Sequence, residues 1–326
     1  MTHEQETKDT SAAPSHPTDA QGKPAAPGGQ GKPRQHDKVT RMGTESIPRL
    51  ITEFAIPSIL GMLVNGAYNV IDSIFLGQAM GEIGLSTATV AMPIMTVFMA
   101  IAMLVGNGGN ALAALRMGEG KPEEAERSLG NTVTLSLIAS VVVAVVMFVP
   151  ACIDGLLSVS GATPEDWDYA MQFIRIISLG FIFQCIGMGV NNFIRTAGAP
   201  NRALGTMIIG AVACTAFNAL FVLVMGMGVV GSALATVCGQ AISCATVLWY
   251  FCLTKGVPMR LRLRMMPLHG ETVRLILSLG LASFAVQAGM AAVNFVLNNL
   301  LNMYGAQSPI GAEGALASIG VVQRVA

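Results

Sequence analysis

Charge is what this sequence has least of. Lys, Arg, Asp and Glu make up 12% of its 326 residues, where a soluble domain carries roughly 25%; too few remain to cover a water-soluble particle of this size. Between Arg202 and Lys255 there is none at all. One helix over that run would be about twice as long as a bilayer is thick, so the run must turn, and Met225-Gly226-Met227-Gly228 offers the place. A cationic excess is missing too: 19 basic residues balance 19 acidic ones, which argues against a nucleic-acid partner. The six cysteines (Cys152, Cys185, Cys214, Cys238, Cys244 and Cys252) form no CxxC pair and lie almost entirely in apolar runs. They read as small core residues rather than disulfides or zinc ligands. The four histidines fall in the amino-terminal tail or a loop without metal-ligand spacing. No Walker lysine motif occurs, so ATP does not drive this chain directly. Gly226-x-Gly228-x-x-Gly231 fits the dinucleotide fingerprint but follows an apolar helix instead of a strand, and is read as a tight turn with close helix packing. No Ser/His/Asp or paired-carboxylate constellation lies in the apolar runs. An enzyme and an organic cofactor are not expected; an integral membrane protein is.

What is present agrees with that class. Residues 1–47 are rich in Pro, Gly, Gln, Ser and Lys and repeat Gln-Gly-Lys-Pro at 21–24 and 30–33; with no apolar face to offset the entropy of ordering, they are expected to form a disordered cytoplasmic tail. The first apolar run begins near Leu50, too far in for a signal peptide. Seven complete helical spans are predicted, at 51–77, 85–114, 129–152, 169–194, 203–225, 230–253 and 273–303, with an eighth opening near Gly311. The ten-residue alternating segments of a transmembrane barrel are absent. Lys and Arg crowd the tail (Lys8, Lys23, Lys32, Arg34, Lys38, Arg41, Arg49) and the loops after spans 2, 4 and 6, where Arg116, Lys121, Arg127, Arg195, Arg202, Lys255, Arg260, Arg262, Arg264 and Arg274 lie. The other loops have none, and the longest carries Asp154, Glu165, Asp166 and Asp168. This alternation predicts a cytoplasmic amino terminus and a multi-pass protein of the inner (plasma) membrane. Trp167, Tyr169, Trp249 and Tyr304 fall near the predicted interfaces.

An internal echo accompanies the spans. Arg49-Leu50-Ile51 recurs as Arg274-Leu275-Ile276, and at the same offset Ser58 matches Ser283 and Asn69 matches Asn294. A repeat of six helices puts both copies in one orientation. One acid, Asp72, lies well inside a span, in the outer half of the first helix. An acid there is costly and marks a functional position by default; the alternative is a capped acid near a helix end. Asn65, Tyr68, Asn69 and Asp72 share one helical stripe, as cavity-lining residues do. Desolvation would raise the Asp72 carboxyl from about 3.9, letting it exchange protons near neutral pH or hold a sodium ion. Gln287, Asn294 and Asn298 repeat the stripe on the seventh span without an acid, as further cavity candidates. Pro57, within the first span, removes a backbone bond and is a candidate hinge. Arg175 and Arg324 are the remaining charges at membrane depth, the former placed to snorkel outward.

Four ordered motifs carry a resemblance: Tyr68-Asn69-x-x-Asp72-x-x-Phe75-x-Gly77; Gly106-Asn107-Gly108-Gly109; Asn191-Asn192-Phe193-Ile194-Arg195-x-x-Gly198-x-Pro200; and Met227-Gly228-x-x-Gly231-Ser232-Ala233-x-Ala235-Thr236. From about Arg49 onward the chain resembles the multidrug and toxic compound extrusion (MATE) transporters of the MOP superfamily, most closely the MepA/DinF-like branch. The resemblance implies an all-α carrier of two six-helix lobes: here a tail at 1–47, a six-helix N-lobe at 48–254, and at 255–326 an inter-lobe loop with helix 7 and part of helix 8. It implies export of drugs and organic cations in exchange for H+ or Na+, with Asp72 and Tyr68 as the coupling residues. Asn69, Asn191, Asn218 and Thr236 would complete that site. Where the family typically reads Asn-x-x-x-Asp in helix 5, this chain reads Cys214-Thr215-Ala216-Phe217-Asn218, so a second acid is missing and sodium coordination there is weakened.

The expected function is therefore secondary antiport, without cofactor beyond the coupling ion, by a protein that contacts membrane lipids and works as a monomer when full length. The chain is expected to be the front portion of a longer carrier. A lipid-linked oligosaccharide flippase of the same superfamily is the alternative, disfavoured because few cationic residues are available to line the cavity. A seven-helix receptor is disfavoured by the inward tail, the echo and Asp72.

Overall fold

The computed structural model describes residues 47–254, 257–305 and 311–325, so the tail at 1–46 lies outside the described residues, as do the side chains of Asn65, Tyr68, Asn69 and Arg324. No strand occurs among the described residues. The first helix, α1, runs Ile47–Gly118 and is broken at one residue, Gly81, with φ 61 and ψ −137. Only glycine adopts that backbone without strain. A Cβ on Gly77 would lie 3.5 Å from the Leu85 side chain. A continuous helix would place those residues about 12 Å apart, so the chain folds back at this corner. It gives two arms, α1a (47–80) and α1b (82–118).

α2 (Pro122–Phe148) begins with proline and carries Glu123 and Glu124 in its first turn, matching the missing donor and the positive end of a helix start. Val149 is extended, the conformation that a following proline favours, and a short helix α3 (Pro150–Ser160) follows, closed by left-handed Gly161. The predicted third span, ending at 152, is thus one helix to Phe148 and a second beyond the break. α4 (Trp167–Thr196), α5 (Pro200–Asn218, passing into a π-helical turn Ala219–Val224), α6 (Gly228–Leu253), α7 (Gly270–Gly305) and α8 (Gly311–Val325) complete the described residues. The turn expected at 225–228 is there, with Gly226 and Gly228 at positive φ.

Among the described residues, six segments are long and apolar enough to cross a membrane: Met80–Gly118, Pro122–Phe148, Trp167–Thr196, Pro200–Val224, Gly228–Leu253 and Gly270–Gly305. α1a has only the shorter apolar stretch Ala55–Val64, because its polar stripe interrupts the rest. Valines and isoleucines on the outside of α2 and α5, such as Val141, Val142, Val145 and Val212, are exposed, an arrangement that suits lipid. The chain is an integral membrane protein. Inside, Phe98 of α1b meets Phe181 of α4 with centroids 5.3 Å apart. α1b and α4 also touch at Gly106 and Gly189, where a Cβ would overlap the facing backbone.

The segment after α6 is not a slack tether. Glu126 of α2, 7% exposed, accepts the Arg260 amide at 3.0 Å and pairs with Arg262 at 3.1 Å. Buried Asn131 donates to the Met265 and Pro267 carbonyls at 3.4 Å and accepts the His269 amide at 2.9 Å. Thr134 adds a 2.8 Å bond to the Met266 carbonyl. Residues 260–269 therefore lie along the start of α2 before α7 begins.

At the other end of the bundle, the loop between α3 and α4 is held by Asp166, fully buried. Its carboxylate accepts the Thr163 amide at 2.9 Å and the Ser86 hydroxyl at 2.7 Å. Burial raises this carboxyl above its ordinary value of 3.8, against the lowering effect of its hydrogen bonds from Ser86 and Thr163. The folded chain then binds this proton more tightly than the unfolded chain. Its contribution to stability is fully present below the ordinary value and is lost as pH rises through the raised one. Thermal unfolding should accordingly show the wild type losing stability relative to Asp166→Asn as pH is raised from about 4; parallel curves across that range would refute the assignment.

Candidate functional site

Three elements meet at Asp72. It is half-buried on α1a, two turns before the Gly81 corner. Its Oδ1 accepts the Asn218 amide at 2.9 Å and the Ser232 hydroxyl at 3.0 Å. Asn218 is the last residue of α5, at the junction where the helix loosens into its π turn, a distortion common at functional positions. Ser232 sits in the second turn of α6. The tight 225–228 turn brings the two together, so the α5–α6 hairpin is what presents both donors to the carboxylate. Asn218 and Ser232 are each 1% exposed.

A further layer lies one turn deeper. The Asn218 amide is 3.7 Å from the Cys214 sulfur, and Thr236 is near the same thiol. Thr236 lies on the same face of α6 as Ser232, one turn further from the 225–228 turn. The Asn218 Oδ1 atom is buried and has no donor among the described residues. Both donors described for Asp72 are neutral, so they orient the carboxylate without cancelling its charge. Such a group can take up a proton or face a small or organic cation, and a buried acceptor beside it favours a positively charged visitor.

The sequence-chosen residues divide. Asp72 and Asn218 are in direct contact and Thr236 is adjacent. Asn65, Tyr68 and Asn69 lie on α1a, but their side chains are outside the described residues. Asn191, expected beside Asp72, is not there. Near the opposite end of the bundle, its amide donates to Thr206 Oγ1 at 2.6 Å and to the Ala203 carbonyl at 3.2 Å. The reason is direction: α4 runs the other way, and Asn191 is within two turns of its end at Thr196. On α7, Gln287 donates to the Met103 sulfur at 3.3 Å and Asn298, 1% exposed, donates to the Thr89 carbonyl at 3.1 Å. Those two residues face α1b rather than Asp72, and Asn294 is half-buried between them. Pro57 sits inside a helix whose single non-helical residue is Gly81, so the break falls at the glycine, with none at the proline. Sequence reasoning missed Ser232 as a partner. Its signal was present: Ser232 and Thr236, four apart on α6, share a face.

Residues 57–220 match the MatE family model. Among curated proteins, the chain is 23% identical over 284 residues to the multidrug export protein MepA of Staphylococcus haemolyticus (strain JCSC1435), covering 86% of this chain and 60% of MepA. It is 25% identical over 280 residues to the probable multidrug resistance protein YpnP of Bacillus subtilis (strain 168), covering 83% and 58%. Among solved structures, the MATE multidrug transporter DinF-BH in complex with rhodamine 6G superimposes with a TM-score of 0.79 at 32% identity, over 86% of this chain and 61% of that one. The chain spans about three fifths of the length of the curated relatives it matches.

Proposed function

The chain belongs to the MatE family of membrane transporters, and from that premise we propose that it is the polypeptide, or part of the polypeptide, of a secondary antiporter. It exports cationic, amphipathic compounds against inward movement of H+, with Na+ as the alternative coupling ion, across the plasma membrane with its amino terminus in the cytoplasm. The observation that carries the reading is the Asp72 carboxylate on α1a, held by neutral donors from α5 and α6. A proton arriving at Asp72 removes the charge that holds the exported cation, and the change is passed along α1a past Pro57. Each proton contributes about 1.4 kcal/mol per pH unit and roughly 2.3 kcal/mol per 100 mV, so a modest gradient supports a tenfold or larger drug gradient. Tyr68, Asn69 and Asn65 share the Asp72 stripe and belong to this proposal. The missing second acid in helix 5 favours the proton over sodium.

The test is exchange in inverted vesicles from cells expressing the gene at its own locus. Adding rhodamine 6G, the compound held by the DinF-BH structure, should release accumulated protons from energised vesicles. No release under a proton or sodium gradient, together with tight binding of a polyprenyl-linked sugar, would replace this reading with the flippase.

A further inference from the structure

Between α6 and α7 the described chain divides its side chains between two faces. Val257 is buried and Met259 fully so, and both join the apolar cluster that holds Tyr250 and Phe251 of α6 and Leu129 of α2. Leu261 and Met266 pack against that cluster. Arg260 and Arg262, which flank Leu261, and Arg264 are exposed instead. Backbone bonds fix this row along its length. The Leu261 amide donates to the Phe251 carbonyl at 3.4 Å, the Arg260 amide to Glu126 at 3.0 Å and the His269 amide to Asn131 at 2.9 Å. Most nearby acids are already paired: Glu119 and Glu124 with Arg116 and Lys121, and Glu126 with Arg262. Arg260 and Arg264 have no ion pair among the described residues. That leaves Glu123 and Glu271 against Arg127, Arg260, Arg264 and Arg274 at this end of the bundle.

The same bonds set the depth of the row. Counted from Pro122, Glu126, Asn131 and Thr134 lie about 6, 14 and 18 Å along α2, and α2 carries no charge beyond Arg127. Arg260 and Arg262, seated at Glu126, therefore stand where lipid headgroups meet water. Met266, whose carbonyl accepts from Thr134, and Leu268, 46% exposed, lie further in. Trp249, exposed in the last two turns of α6, marks the same boundary, as interfacial tryptophans do. We propose that residues 260–268 bind a net-anionic phospholipid of the adjoining leaflet, cytoplasmic in the orientation proposed above. The Arg260 and Arg264 guanidiniums take the phosphate, whose oxygens match their paired donors, and Leu268 lies beside the upper acyl chain. The general excess of cations on cytoplasmic loops accounts for basic residues at this end. It does not require them to stand on a pinned segment with an apolar underside at headgroup depth. A soluble polyanion would use the arginines and leave Leu268 without a partner; a lipid uses both. The site is independent of the coupling ion and of the exported compound.

The experiment offers equimolar phosphatidylglycerol and phosphatidylcholine to the full chain, purified in detergent and stripped of lipid, and counts bound lipid by native mass spectrometry. Both lipids carry a phosphate, but choline cancels its charge in one of them. A basic side chain near an anionic headgroup is worth about fivefold in affinity, so two arginines should favour phosphatidylglycerol roughly 25-fold. Arg260→Gln with Arg264→Gln should bring the two lipids to within about threefold of each other, with the remainder held by Arg262 and Arg274. Arg260→Lys with Arg264→Lys keeps both charges and should hold a preference of about tenfold. A loss that the lysines restore cannot come from unfolding. Equal binding of the two lipids by the unaltered chain, or an unaltered preference in the glutamine variant, would overturn the site. Displacement of the lipid by glycerol phosphate or polyglutamate at equal concentration would assign the arginines to a soluble anion and overturn it as well.

Discussion

Asp72→Asn is expected to abolish cation exchange, by about 100-fold or more, the scale on which a positioned proton-transfer group contributes. The substitution is nearly isosteric, and the amide oxygen can still accept from Asn218 and Ser232, now at 2.9 and 3.0 Å from Oδ1. The hairpin therefore keeps its seat on α1a and the variant should fold. What disappears is the ability to change charge. A carboxamide neither takes a proton nor attracts a cation, so residual movement of rhodamine 6G should become independent of the pH gradient. Asp72→Glu keeps the charge but moves it by about one bond length from its two donors, and should retain partial, still pH-dependent exchange. Vesicle assays at several imposed gradients read all of this at once. Full exchange by Asp72→Asn would remove the carboxylate from the mechanism.

Most of the helices were legible because charge and glycine punctuate the apolar runs; the break at Val149, inside the predicted third span, was not. Gly81 marks the corner between α1a and α1b, and Met225-Gly226-Met227-Gly228 the turn between α5 and α6. Asp72 was legible because an acid within a span has few explanations. What the sequence left open was which partners reach it. A stripe records the face of one helix and leaves open which neighbour that face meets. Asn191 carries the right chemistry and belongs to the right motif, yet chain direction sets it at the far end with Thr206. Ser232 looked like an ordinary small residue of a tight helix and became a direct partner because the hairpin folds it back. The linker was equally hidden. Arg260, Arg262 and Arg264 read as a charge-bearing loop, and it is Glu126, Asn131 and Thr134, some 130 residues earlier, that reveal it is pinned.

Gly280→Val should be the most destabilising single change among the described glycines of α7, and the reason is its contact with α1b. A Cβ on Gly280 would overlap the Leu104 carbonyl, and a Cβ on Gly108 would overlap the Ile276 carbonyl. Each helix thus presents a glycine to the other's backbone. Within lipid no hydrophobic force drives two helices together, and association depends on close packing and hydrogen bonds. Here the close approach sets up the bonds. Asn107 donates to Ser283 at 3.1 Å and accepts from Asn192 at 2.9 Å, while toward the other end Asn302 donates to the Gly161 carbonyl at 3.0 Å. A valine at 280 cannot be relieved by turning a flexible side chain, because the obstacle is backbone. α7 must move away, and the polar contacts on either side lengthen with it. Overpacking of this kind costs about 3 kcal/mol, or roughly 6–12 °C in Tm for a domain of this size. Gly289 is the internal control. It lies on the same helix with no neighbour within 4 Å of an added Cβ, so Gly289→Ala should be neutral or raise stability by up to about 1 kcal/mol through helix propensity. Thermal unfolding followed with a thiol-reactive dye compares the two directly. Equal Tm values would mean that α7 is not seated on α1b by its glycines. A wide gap would tie the first helix of the expected second lobe to the six-helix unit that holds Asp72, through the Gly106-Asn107-Gly108-Gly109 motif itself.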